Sequence, residues 1–255
     1  MLNDGFFTDI KKATLVVVPN LPPLVQGYLN YCFQDQVPEE VHLVHLTQTG
    51  YFRLKPNPDS TRGWLPLTAE QHIKTLEPTF IWFAKIRMNK LLWVDGWDYI
   101  INNQSNMHWN LNSLFNIVDE KGKHLDQGAL MRYLAEVPWF PWALLYNRQI
   151  TWEELDNQSA EATLTSNDLR VSAIFHFNSV GQIIRVSADR YRSINKNFEL
   201  TPWTGYFRKY QKINGINLPT EGEVIWHLRE GDYSYAKLKI KSVELDRSGQ
   251  SYKIN

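Results

Sequence analysis

From Val41 onward the sequence reads with a period of two. Val41, Leu43, His45 and Thr47 alternate with His42, Val44, Leu46 and Gln48, and extended runs of the same kind follow at 64–74, 80–88 and 91–102. A period of two sends successive side chains to opposite faces of a strand, so each run must join a sheet to bury its apolar face. Pro56-Asn57-Pro58-Asp59, Glu77-Pro78 and Asn102-Asn103 separate the runs with residues suited to turns. A second series at 160–165, 169–177, 182–191, 203–213, 216–228 and 234–244 is spaced by Ser166-Asn167-Asp168, Ser179-Val180-Gly181, Asn214-Gly215 and Glu230-Gly231-Asp232. This order predicts an antiparallel meander. Strand-helix-strand units are missing from the pattern, which argues against a doubly wound nucleotide-binding fold.

Two segments change the period. Residues 22–34 follow a loop and carry Val25, Tyr28, Leu29 and Cys32 at i, i+3, i+4 and i+7, the spacing of a helix that docks one face on a sheet. Residues 126–137 form a second helical stretch, with Asp126 as candidate N-cap, an apolar stripe of Leu130, Tyr133, Leu134 and Val137, and Pro138 as terminator. The expected class is α+β, mainly β. One domain is expected, with an N-terminal loop and helix (1–40), a first strand set (41–123), a helical insertion (124–147) and a second strand meander (148–255).

A chain of 255 residues with 43% apolar content can bury a large core, and its 27 basic residues cancel 27 acidic ones. No overall field draws it to nucleic acid or to an anionic membrane, so a nucleic-acid partner is not expected. Cys32 is the lone cysteine, which suits a reducing compartment or a fold needing no disulfide. Lys11 and Lys12 precede only the short apolar run 13–18, too brief for a secretory signal, and no run approaches the ~18 apolar residues of a spanning helix. No transmembrane segment is expected, and the cytoplasm is the expected location. The pattern leaves the oligomeric state open.

The candidate site centres on Arg132-Tyr133-Leu134-Ala135-Glu136-Val137-Pro138-Trp139-Phe140-Pro141-Trp142. Arg132 and Glu136 stand at i, i+4 on one side of a helix, where a guanidinium can grip a carboxylate as a structural pair or as part of a working site. Trp139, Phe140 and Trp142, with Tyr133 and Tyr146 nearby, supply either core or the wall of a ligand groove. Ten tryptophans, several beside Pro or Gly, favour irregular concave surfaces, and Trp203 and Trp226 belong to the same set. Alternation places Arg190 and Arg192 on one strand face and Asp189 and Tyr191 on the other. The two guanidiniums are thus either a solvated strand end or an anion site, with Glu221 and Glu223 as cross-strand partners.

Metal and nucleophile chemistry find less support. His42 and His45 point to opposite faces, and His72, His108, His124, His176 and His227 lack ligand spacing, so neither a metal site nor a cofactor is expected. Without a Gly-x-Ser-x-Gly elbow or a Gly-rich phosphate loop, serine-hydrolase and P-loop chemistry are excluded. Glu136 with Asp189 or Glu223 remains as a paired-carboxylate alternative.

The run Arg132 to Glu136, then Trp139-Phe140-Pro141, Trp152-Glu153, Ala160-x-Ala162-Thr163-Leu164, Phe175-x-Phe177, Gly181, Asp189-Arg190-Tyr191-Arg192, Pro202-Trp203-x-Gly205 and Leu218-Pro219-x-x-Gly222-Glu223-Val224-x-Trp226 resembles a family of bacterial proteins of uncharacterised function. Upstream, Gly50-Tyr51-Phe52-Arg53, Trp64-Leu65-Pro66-Leu67-Thr68-Ala69-x-Gln71 and Phe80-x-Trp82-x-Ala84 fit the same pattern. More distantly, a long antiparallel sheet with a central helical insertion is similar to the lipoprotein-carrier (LolA/LolB-like) half-barrel. That resemblance implies a curved sheet wrapping helices around an apolar groove. The chain departs from it in lacking an export signal. It also carries Trp142 where a small residue is expected, which should enlarge the aromatic wall or fill part of the cavity, and Asn102 and Asn103 where glycine is expected.

The leading expectation is a binder of an apolar or amphipathic small molecule, with Arg132, Tyr133, Glu136, Trp139, Phe140, Trp142, Arg190, Trp203 and Trp226 lining the groove. An enzyme using Glu136 as acid or base, with Arg132 or Arg190 stabilising an anion, is one alternative. An interaction module offering an aromatic face to a partner chain is another.

Overall fold

The structure, a computed structural model, describes residues 21–34, 38–56, 59, 61–194 and 197–248. The expected N-terminal loop, the apolar run 13–18 and the middle of the 56–59 turn lie outside the described residues. In chain order the elements are α1 (Pro23–Phe33), β1 (Leu43–Phe52), β2 (Leu65–Lys74), β3 (Thr79–Arg87), β4 (Trp93–Ile101), β5 (Gln104–Leu111), β6 (Phe115–Glu120) and α2 (Lys123–Ala135). A 3₁₀ turn (Val137–Trp139) and α3 (Trp142–Tyr146) follow. The chain then runs through β7 (Ile150–Asp156), β8 (Ser159–Ser166), β9 (Leu169–Phe177), β10 (Ile183–Ile194), β11 (Asn197–Ile213), β12 (Ile216–Leu228) and β13 (Gly231–Asp246).

All thirteen strands share one antiparallel sheet in the order β6-β5-β4-β3-β2-β1-β13-β12-β11-β10-β9-β8-β7. Every strand pairs with its neighbour in sequence except at the centre, where β1 meets β13, and at the two edges, β6 and β7, which the helical segment connects. α2 touches β4 and β5 on one arm of the sheet and β8, β9 and β10 on the other. A helix of thirteen residues is only about 20 Å long, so it reaches both arms because the sheet curls around it. The result is the curved, mainly β, half-barrel-like architecture that the alternating runs and the resemblance imply.

The strongly alternating runs are strands as expected. β5, β6 and β7 are additional strands; β5 reads Gln-Ser-Asn-Met-His-Trp-Asn-Leu, with polar residues on both faces, and so shows little amphipathic signal. Asn102 and Asn103 take left-handed backbone (φ 52° and 62°), the conformation that asparagine tolerates in place of glycine. The helix expected over 126–137 begins earlier, at Lys123, and Asp126 is not its N-cap. Gly122 holds that position, while Asp126 accepts the Ser105 backbone N–H at 2.6 Å and its hydroxyl at 2.8 Å, fastening the first turn of α2 to β5.

α1 buries Val25, Tyr28, Leu29, Cys32 and Phe33 and lies against β12 and β8. Burial pushes the Cys32 thiol well above its ordinary value. At Gly222 the backbone passes directly beneath Trp139, and an added Cβ would stand 2.7 Å from that ring. The sheet also has a split. β10 pairs with β9 only from Ile183 to Ser187, and its remaining residues to Ile194 continue on β11 alone while β9 continues on β8 alone. α2 lies across this split, in contact with both β9 and β10.

Candidate functional site in the curl of the sheet

The residues singled out from sequence fall into three groups. The first surrounds Arg132. Its Nε donates to Glu136 Oε1 at 2.8 Å and its Nη1 to Asp98 Oδ2 at 3.1 Å, while the guanidinium lies over the rings of Phe80 and Trp82, 5.0 and 4.5 Å from their centroids. Gln71 donates to Glu136 Oε2 at 2.6 Å, Gln48 donates to Gln71, Trp82 donates to Gln48 and Trp109 donates to Asp98. Burial opposes the Arg132 charge, but Glu136 and Asp98 outweigh it and raise its pKa. Burial also raises the Asp98 carboxyl, against the pull of Arg132. The i, i+4 pair is therefore one segment of a buried polar chain in which each charge is answered.

Asp98, Gln48, Gln71, Trp82 and Trp109 are not among the site residues expected from sequence, although Gln71 and Trp82 belong to the pattern that carries the family resemblance. The detectable signal was a polar residue at an inward position: Gln48 continues the series Val44, Leu46, and Gln71 interrupts Leu67, Ala69, Ile73. A buried amide on an apolar strand face needs partners, which marks it as part of a network.

The second group is packing. Tyr133, Trp139, Phe140 and Trp142 are buried, with Tyr133 tilted against Phe140, Trp139 edge-on to Phe207 and Trp142 edge-on to Phe33. The Tyr133 hydroxyl donates to Lys74 O at 2.9 Å and accepts from Asn147 at 3.3 Å. Trp142, the first residue of α3, is buried against Phe33 of α1 and does not line the cavity described below.

The third group collects at the split. Arg190 points inward, its guanidinium 4.8 Å from the Trp203 centroid and 5.8 Å from that of Trp226. It donates to Gly128 O of α2 at 3.1 Å and faces the Tyr235 hydroxyl, which accepts from Trp203 Nε1 at 3.0 Å. Among the described residues no carboxylate lies within ion-pairing distance of Arg190, and its Nε is buried without a hydrogen-bond partner. Burial pulls its pKa below the ordinary guanidinium value. Arg192, on the same strand face, also has a buried Nε without a partner. A cavity of about 500 Å³ opens here and reaches both faces of the split: Met131, Ala173, Arg190 and Trp203 line it together with the charged Glu161, Arg170 and Asp189.

The solvated-strand-end alternative for Arg190 is thus replaced by an inward-facing cation. Glu221 and Glu223 do not pair with it. They take Lys209 at 2.8 Å, and Arg208 at 2.8 Å with Lys237 at 3.6 Å. Glu223 alternates with the inward-facing Gly222 and Val224 and Asp189 with Arg190, so neither shares the inner face with Glu136.

No helix among the described residues is long and apolar enough to cross a membrane. No curated protein matches the chain. Among solved structures it is similar to the LolA superfamily protein NE2245 from Nitrosomonas europaea, with 11% identity, 87% of this chain and 91% of that chain covered, and a TM-score of 0.43. The model of a family of unknown function, DUF6544, matches residues 14–238, and the chain belongs to that family.

Proposed function

We propose that this protein binds an amphipathic small molecule, its anionic head on Arg190 and its apolar part along Trp203 and Trp226 in the split of the sheet. The supporting observation is Arg190 itself: a half-buried guanidinium on a cavity, its Nε buried without a hydrogen-bond partner, lying over two indoles, with no carboxylate within ion-pairing distance among the described residues. An inward cation is costly to bury, and an incoming carboxylate or phosphate would supply the charge and the acceptors that its surroundings lack. Arg132 is the weaker head-group candidate because two carboxylates already hold it. Glu136 has both oxygens engaged, so binding is favoured over acid–base catalysis.

The test is native mass spectrometry of the freshly purified full chain, followed by titration with dodecanoate and dodecanol read by tryptophan emission. A co-purified anionic amphiphile, or dodecanoate binding at least tenfold more tightly than dodecanol with that preference lost in Arg190→Gln, supports the reading. Equal affinity for both ligands, or an unchanged preference in Arg190→Gln, overturns it.

A further inference from the structure

The outer face of the sheet, opposite the aromatic cavity, gathers four side chains that are distant in sequence. The register pairs His45 of β1 with His72 of β2 and with Glu244 of β13, and Glu70 stands two residues before His72 on the same face. The two imidazoles stack in parallel, 4.3 Å apart with planes within 2°. His45 Nδ1 is 3.4 Å from Glu244 Oε2, and its Nε2 is 3.9 Å from Glu70 Oε2. One donor atom from each of His45, Glu70 and His72 falls within 4.8 Å of the other two. His45 Nε2 is buried and makes no hydrogen bond.

We propose that His45 Nε2, His72 and Glu70 bind a divalent first-row transition ion, zinc foremost, with Glu244 holding the His45 ring from behind. Imidazole nitrogen and carboxylate oxygen are the donors that suit zinc, and three protein ligands with a fourth position open to solvent form a stable set. Tetrahedral ligands at zinc distances stand about 3.3 Å apart and an imidazole lone pair lies in its ring plane, so closure takes rotation of the exposed Glu70 and tilting of the two rings out of their parallel stack until both planes meet at the ion. The Glu244 contact places the proton of neutral His45 on Nδ1 and leaves the Nε2 lone pair facing Glu70. This is the carboxylate–histidine–metal relay that orients a ligating ring. A bound ion would link β1 to β2 directly and to β13 through Glu244.

The experiment is calorimetric titration of EDTA-treated full-length protein with zinc chloride, repeated with cobalt chloride and read by visible absorption. The expected result is one ion per chain, with binding lost in His72→Ala, weakened roughly 10–100-fold in Glu244→Gln and unchanged in His42→Ala. Circular dichroism confirms that each variant is folded, and Glu70→Gln serves in place of any histidine variant that is not. Absence of saturable binding in the wild type, or binding that survives both His72→Ala and Glu70→Gln, overturns the proposal.

Discussion

Arg132 and Arg190 are chemically alike and similarly placed, each inside the curl and stacked on two aromatic rings. They differ in what completes them. Arg132 lies against the β2–β5 arm, where Asp98 and Glu136 meet its charge and Gln71, Gln48, Trp82 and Trp109 use up the remaining polar atoms. Arg190 lies on the other arm, where the β9–β10 ladder has opened and a helix carbonyl and a tyrosine hydroxyl stand in place of carboxylates. A closed network of this kind ties α2 to one arm, whereas the incomplete one beside a cavity is where we propose that the ligand binds.

The most severe way to break this comparison is Arg132→Met. It strands two buried carboxylates, and denaturant unfolding is expected to register a loss of about 3–5 kcal/mol. Arg190→Met removes an unpaired, half-buried cation and should leave the unfolding free energy within about 1 kcal/mol of wild type; equal losses from the two substitutions would collapse the distinction. Its effect should fall instead on ligand affinity, a loss of about 2–3 kcal/mol toward an anionic amphiphile measured by fluorescence titration. Gly222→Ala probes the shared core and forces the Trp139 ring to move, for an expected cost of about 1–3 kcal/mol in the same unfolding assay.

The smallest effect concerns pH and has one contributor on each arm. Burial together with His45 lowers the His72 pKa, and burial together with Arg185 lowers that of His176, both below the ordinary 6.5. A depressed histidine adds stability above pH 6.5 that is lost as the pH falls through the folded-state value. Thermal melts in EDTA should show an acid-side decline that is shallower in a His72→Gln, His176→Gln double variant. An identical slope in the two proteins would remove both histidines from the account.

The strands of this fold were legible where one face is apolar and the other polar, as in β2, and obscure where both faces are polar, as in β5. The Arg132–Glu136 pair was legible because helical periodicity alone sets two side chains four residues apart on one side. Asp98, Gln71 and Gln48 join that pair through tertiary placement, which local periodicity does not encode. Arg190 shows the same limit. Alternation assigned its strand face, but whether that face meets water or a cavity depends on where a neighbouring strand parts company. The histidines remained scattered in sequence because strand register, and not spacing along the chain, brings His45, His72 and Glu244 together.

The strand order has a kinetic consequence. Because every ladder except β1–β13 joins consecutive strands, each arm can form hairpin by hairpin, through short connections apart from the longer one, residues 53–64, between β1 and β2, and with little entropy to overcome. Among the described residues, the seam from Leu43↔Asp246 to Phe52↔Ala236 is the one strand pairing that must bring together segments about two hundred residues apart. Two locally built arms should therefore form early and the central seam late. Among the described residues the least local strand pairing thus stands at the middle of the finished sheet, and the rate of its closure sets how long the inner edges of both arms stay open to mispairing.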